Sequence, residues 1–312
     1  MAQLIKLQDY ISRYQIDVFR YPGQFIRLKK ENYHGILEQW MQQNEQQIAD
    51  QEEERPRDSL FSKLFKRTKE VDKEFESNRE QSLPQSEVEL KQVFLDKIFQ
   101  FQLKWASSTL QEVSFLDRSY QYNDKLQELL KRLPDTYLVL FEPIFKLKNA
   151  LLEAEIIIIT PIEILCITWL EDRGNEQISY IPLDQRTWLK KTKSRKETTV
   201  NPNISLKRME GAINSILRHD ELSFPIKKMV LTNQHLITDH HSPYKTEYID
   251  ANNFEDWVNQ HRQMSFPLKF QQLKVAETLL KHTQITSIKR PEWEDDEDDQ
   301  SVFQSQTFED NQ

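Results

Sequence analysis

The sequence predicts an α/β protein, a mixed sheet flanked by helices and preceded by helical N-terminal segments. Three observations predict it. Apolar residues recur with a helical period up to about residue 133 and are then replaced by short β-branched runs. The 17 Phe, 10 Tyr and 6 Trp supply enough bulk for a core. Hydrophobic residues nevertheless reach only 38% and charged ones 29%, so polar sequence must be concentrated in appendages.

Residues 1–48 read as a helical N-terminal segment. Leu4, Leu7, Tyr10, Ile11 and Tyr14 fall on one stripe and Ile36, Leu37, Trp40 and Met41 on another, with Pro22 and Gly23 between them. Residues 49–87 hold 11 acids, 8 bases and 8 apolar residues, a charged linker expected to be disordered. Inside it, Leu60, Phe61, Leu64 and Phe65 beside Lys63, Lys66 and Arg67 form a two-turn amphipathic face suited to a membrane surface or a partner. Residues 88–120 carry a long stripe (Leu90, Phe94, Ile98, Phe101, Trp105, Leu110) that needs a partner helix, as a coiled coil would supply.

Residues 121–265 should form the α/β domain. A helix at 125–133 stops at Pro134, and strands are expected at 137–141, 155–160 and 164–170. The turn Asp172-Arg-Gly-Asn175 should fold the third strand into a hairpin with 177–181. A helix begins after Asn201-Pro202, a strand follows at 227–232, and a helix at 254–260 closes the domain. A C-terminal helix is expected within 266–288, before an acidic, disordered tail at 289–312. No repeat with a period of about 20 to 50 residues is visible.

Four widely spaced glycines cannot build the backbone cradles of Walker or Rossmann nucleotide sites. Cys166 is the only cysteine, which excludes internal disulfides and thiolate metal clusters and suits a reducing cytoplasm. No apolar run approaches the ~20 residues of a spanning helix, so no transmembrane segment and a cytoplasmic location are expected. The net charge of −8 comes from the tail. Nine acids and no base follow Pro291, which leaves residues 1–291 at +1.

From about Tyr122 to Arg262 the order of features resembles the nuclease-related domain (NERD) family of the restriction-endonuclease-like superfamily. A helix ending Leu-Leu-Lys-Arg-Leu-Pro134 leads into Tyr137-Leu-Val-Leu, then Glu153-Ala-Glu155-Ile-Ile-Ile-Ile-Thr-Pro161. Trp188, Asn201-Pro202 and Met229-Val-Leu follow in the family's order. The resemblance implies a nuclease fold whose metal is held by an acid at the place of Glu155 and by a Glu-x-Lys on the next strand. Here that register reads Thr168-Trp169-Leu170, which lacks both the carboxylate and the ammonium. The family's first-helix Gly-Glu is missing, with Asp124 the nearest acid, and Ser205 stands where the family has Gln. The resemblance therefore implies a degenerate catalytic motif, a pseudoenzyme with no catalytic residues expected.

Other candidates have two readings each. Glu153 and Glu155 are the weak metal candidates, close enough on a strand to share one Mg²⁺, or else a charged strand entrance. Asp239-His240-His241 reads as a polar turn, because adjacent histidines on extended chain point apart. Cys166, between Leu165 and Ile167, reads as an inert buried thiol. Arg186, Trp188, Lys190, Lys191, Lys193, Arg195 and Lys196 form either a nucleic-acid-binding segment, with the indole free to stack on a base, or a solvated loop. The leading expectation is a non-catalytic module that binds nucleic acid or an acidic protein and needs no cofactor. A divergent nuclease recruiting Mg²⁺ with Glu171 or Lys190, and a protein-interaction scaffold, are the alternatives.

Overall fold

The computed structural model describes residues 1–49, 84, 86–148, 150–172, 174, 176–238, 243, 245–264 and 266–290. Nearly all of the charged linker, its Leu60–Phe65 face, Asp239-His240-His241 and the acidic run after Arg290 lie outside the described residues.

The chain is a mixed α/β protein that divides into two compact units, residues 25–98 and the remainder. Its helices are α1 (Tyr21–Ala49), α2 (Glu87–Trp105), α3 (Asp124–Arg132), α4 (Asn203–His219), α5 (Phe254–Gln263) and α6 (Phe270–Lys281). Its strands are β1 (Gln3–Leu7), β2 (Glu112–Val113), β3 (Leu138–Phe141), β4 (Ile144–Leu147), β5 (Ala150–Glu153), β6 (Ile156–Ile159), β7 (Ile164–Trp169), β8 (Ser179–Pro182), β9 (Thr187–Lys191), β10 (Lys196–Val200), β11 (Ile226–Leu231), β12 (Leu236–Ile237), β13 (Thr246–Ile249) and β14 (Ile288–Lys289).

The smaller unit is the helix pair that the stripes of α1 and α2 demand. Tyr33 packs on Phe94 with ring centroids 5.2 Å apart, and the Trp40 indole donates to Pro84 O at 2.8 Å. Among its described residues, Phe25, Ile36, Leu90, Phe94 and Ile98 are buried.

The larger unit is built on a six-stranded sheet of order β1-β3-β6-β7-β11-β13. Parallel pairing of β1 with β3 and of β7 with β11 and β13, together with antiparallel β6, brings the C-terminal ends of five strands to one edge. On one face, Leu126, Leu129 and Leu130 of α3 and Phe254, Trp257 and Val258 of α5 pack with Val139, Ile158, Leu165, Ile167 and Leu231. On the other face α4 and α6 cover β6, β7 and β11. Burial on both faces explains the unbroken β-branched run of β6 and the wholly buried residues of β7.

Residues 3–7 form an edge strand where the sequence stripe predicts a helix. All five are buried, and their polar members are satisfied by side-chain hydrogen bonds. The Gln3 amide donates to Asp135 O at 2.6 Å, and Gln102 bridges Leu4 N and Ala2 O. The Lys6 ammonium donates to Tyr10 O at 2.6 Å. Burial of Gln and Lys erases the alternation by which a strand announces itself. Pro22 sits in the first turn of α1, where its missing N–H costs nothing, so it starts the helix instead of separating two. The long stripe ends at Trp105, after which Ser107 and Ser108 turn their hydroxyls onto the last carbonyls.

A second sheet, of order β10-β9-β8-β12, carries the basic segment. The expected hairpin after Asp172 is not formed: β7 pairs with β6 and β11, and β8 belongs to this second sheet.

Candidate functional site at the sheet edge

The C-terminal edge of the six-stranded sheet gathers the positions that the sequence singles out. Glu155 precedes β6, Thr168 lies near the end of β7, and Ser205 lies in the first turn of α4. Thr168 donates its hydroxyl to Glu155 Oε1 at 3.0 Å, and Ser205 donates to the same oxygen at 2.7 Å. The positive end of the α4 dipole lies on the same side as the carboxylate. One oxygen thus has both of its lone-pair directions filled by neutral donors.

Chemically, Oε1 is satisfied by hydroxyls, and among the described residues the carboxylate makes no ion pair with an ammonium. Leu170 follows β7 half-buried, its backbone N–H bound to Leu231 O. Glu153 ends β5 and is exposed, whereas Glu155 belongs to the entrance of β6, so the pair does not occupy one strand as the sequence suggests. Glu171 pairs with Lys125, and Lys190 lies 2.7 Å from Asp172. Both residues that a divergent nuclease would recruit are thereby engaged elsewhere. Asp124 opens α3 and makes no hydrogen bond with Glu155.

The neighbouring strand ends add a feature that motif reading does not supply. Gln8 and Glu142, just past β1 and β3, have φ of 42° and 51°. That left-handed conformation costs a side-chain-bearing residue energy. Glu142 Oε2 accepts from Tyr120 at 2.7 Å and from Gln8 at 3.4 Å, and its backbone N–H donates to Glu155 O at 2.6 Å. Burial, followed by the Glu142 contact, raises the pKa of the Tyr120 phenol and keeps it a donor.

Deeper on the α4 face, Lys228 of β11 meets Glu210 of α4 at 2.6 Å. Cys166, opposite Lys228, is fully buried, and burial pushes its thiol pKa upward, away from a nucleophilic thiolate. It packs as a small apolar residue.

The basic segment is the hairpin β9–β10. Its faces differ sharply. Trp188 is wholly buried, edge-on to Tyr248 at 5.4 Å, and Lys190 points to the same covered side, opposite Tyr180. The indole is thus a core residue and is not presented for stacking on a base. The other face carries Lys191 directly opposite Lys196. Lys193 and Arg195 lie at the hairpin tip and Arg186 precedes it, with Arg195 paired to Glu197 at 2.5 Å. Among the described residues, Lys191, Lys193 and Lys196 make no ion pair.

One group among the described residues has ligand atoms within 4.8 Å of one another in a metal-compatible set: His219, Asp220 and His282, at the ends of α4 and α6. No spacing in the sequence joins residues 219 and 282, so only the packing of α4 on α6 reveals it. Each histidine follows or ends a helix, where an imidazole also complements the dipole.

Over 113 residues the chain is 34% identical to an RNA 2′,3′-cyclic phosphodiesterase of Geobacillus stearothermophilus. The match covers 33% of this chain and 36% of that protein, so the chain spans about a third of the relative's length. No family model matches the chain, and no solved structure matches it.

Proposed function

We propose that the chain is a non-catalytic module of restriction-endonuclease-like fold that binds nucleic acid through the exposed face of β9–β10. The observation that carries this reading is the placement of Lys191 opposite Lys196 with Lys193 at the tip, none of them in an ion pair among the described residues. Directly opposed like charges oppose strand pairing, so stability gives no reason for them, while a phosphate backbone does. The relative's activity on RNA favours a ribonucleic partner. The resemblance to NERD nucleases is supported by the convergence of Glu155, Thr168 and Ser205, three separated sequence positions of that family's pattern. The absence of catalysis is supported by what the carboxylate binds there: two hydroxyls, where metal-assisted cleavage uses a second acid and a lysine.

The test is fluorescence polarisation with labelled single-stranded RNA and DNA across a salt series. Replacing Lys191, Lys193 and Lys196 by Ser should lower affinity and reduce the salt slope by about 2 for single strands. An unchanged slope would remove the nucleic-acid reading and leave the face to an acidic protein. A second reading, a divergent nuclease, is favoured by the strained Glu142 beside Glu155. Cleavage of the same oligonucleotides with Mg²⁺ or Mn²⁺, abolished by Glu155→Ala, would establish it in place of the first.

A further inference from the structure

The ends of two packed helices meet in the larger unit. α4 finishes at His219 with Asp220 as its C-cap, and α6 finishes at Lys281 with His282 as its C-cap. The C-terminal end of a helix carries partial negative charge, so two such ends side by side favour a cation between them. Three ligand side chains stand at that place: one donor atom each of His219, Asp220 and His282 lies within 4.8 Å of the other two. Lys281, the base in the last turn of α6, pairs instead with Glu277 at 2.9 Å.

Thr278, buried one turn before the end of α6, holds two of the three donors. Its hydroxyl donates to Asp220 Oδ2 at 3.0 Å, which leaves Oδ1 for another partner. Its carbonyl oxygen lies 3.0 Å from His282 Nδ1. A carbonyl only accepts, so Nδ1 carries the hydrogen and the lone pair of the neutral ring sits on Nε2. Metal-ligating imidazoles share this arrangement, one nitrogen donating to a carbonyl and the other left to coordinate. His219 Nδ1 lies 3.0 Å from Asp220 Oδ1. That is close to the ~3.4 Å that separates neighbouring ligands around a tetrahedral zinc with bonds of about 2.0–2.1 Å. The two imidazoles meet edge-on with ring centroids 5.9 Å apart. Helix-dipole complementation accounts for each histidine singly. It gives no reason for both to face one carboxylate, or for one threonine to fix that carboxylate and the second imidazole.

We propose that His219, Asp220 and His282 bind one Zn²⁺ ion, with water in the fourth position. Two imidazoles and one carboxylate suit a borderline cation, whereas Mg²⁺ and Ca²⁺ demand oxygen ligands. The His219 side chain is exposed, so solvent reaches the ion and supplies that water. The ion ties the end of α4 to the end of α6, which cover the same face of the sheet. The site shares no residue with the β9–β10 face and stands whether or not that face binds nucleic acid.

The test uses the full chain without an affinity tag, stripped by a chelator, in zinc titrations against a chromogenic chelator and in thermal melts with Zn²⁺ or Mg²⁺. One Zn²⁺ should bind per chain and raise the melting temperature, and Mg²⁺ at the same concentration should not. Cobalt(II) in place of zinc should show the intense visible absorption of tetrahedral coordination. His219→Ala and His282→Ala should each weaken zinc binding at least about tenfold. Because His219 is exposed, its removal leaves the fold intact and keeps the test decisive should His282→Ala unfold. Replacing His240 and His241 together by Ala is the control and should leave the affinity unchanged. Equal melts with and without zinc, affinity unchanged in His219→Ala, or loss of binding in the His240 and His241 control would overturn the site.

Discussion

The sheet edge around Glu155 and the place of Arg13, whose guanidinium carbon lies 5.4 Å from the centre of the Trp105 ring, are both charged, partly buried and assembled from distant segments, yet they are satisfied in opposite ways. At Glu155 Oε1 the neighbours donate: two hydroxyls, with a helix start on the same side. At the Arg13 Nε no described neighbour accepts. A charge whose partners come with the fold contributes to the fold, whereas a buried donor without an acceptor costs it free energy. Order along the sequence points to the first region, and the accounting of hydrogen bonds points to the second.

The pair Lys228–Glu210 gives the largest expected effect on the satisfied side. Lys228→Met leaves the half-buried Glu210 without its cation and should cost about 3–5 kcal/mol in urea unfolding, while adding Glu210→Leu should restore most of it. Comparable losses in the single and double variants would show that the pair's charges were never dependent on each other.

His261 gives the next effect, through pH. Burial, and then Lys227, lower its pKa from 6.5 to about 4 while its Nδ1 bonds Tyr137 at 2.8 Å. The unfolded chain therefore binds more protons between pH 4 and 6.5. Stability should fall as pH drops through that window, by up to roughly 3 kcal/mol. His261→Gln should flatten this part of the profile; a slope that survives the substitution would assign it to other groups.

Smaller still are the hydroxyls on Glu155. Ser205→Ala and Thr168→Val should each cost about 1 kcal/mol, and their double variant should depart from the sum because both bond one oxygen. Strict additivity would mean that the carboxylate does not couple them. The smallest effect should come from Lys191→Ser, which faces Lys196 across the hairpin. Relief of that repulsion should leave stability within about 0.5 kcal/mol of the parent or slightly raised.

The sequence is most readable where burial is symmetrical and least where polar residues enter the core. β6 stands out as a β-branched run, β7 and the Met229-Val-Leu end of β11 as apolar ones, and α3 to α6 fall within a few residues of their periodic stripes. β1 is hidden because Gln3 and Lys6 are buried with it. The ribbon β4–β5 is hidden because its residues 144–153 lack clean alternation. At the site, Glu155, Thr168 and Ser205 are singled out in the sequence by their order along the chain. Gln8, Glu142 and the Arg13–Trp105 contact are not, because each depends on pairing between segments far apart in sequence. Trp188 is misread for a related reason: the basic residues around it suggest a loop, whereas alternation on β9 sends the indole inward and Lys191 outward.

The edge strand β1 has a temporal side. Its partner β3 lies far along the chain, a separation of 132 residues at the Gln3–Asp135 hydrogen bond. At translation rates of about 5–20 residues per second, the strand spends roughly 7–26 s on the ribosome before β3 exists to pair with it. An unpaired Leu-Ile-x-Leu strand is a template for association with other nascent chains. Lys6 interrupts that strand with a charge that water solvates while the strand is free and that its final place tolerates only with Tyr10 O and Gln15 at hand. Burial lowers this ammonium to about 7 in the finished protein. A charge that disfavours edge pairing while the strand is free is thus one that the folded state must desolvate.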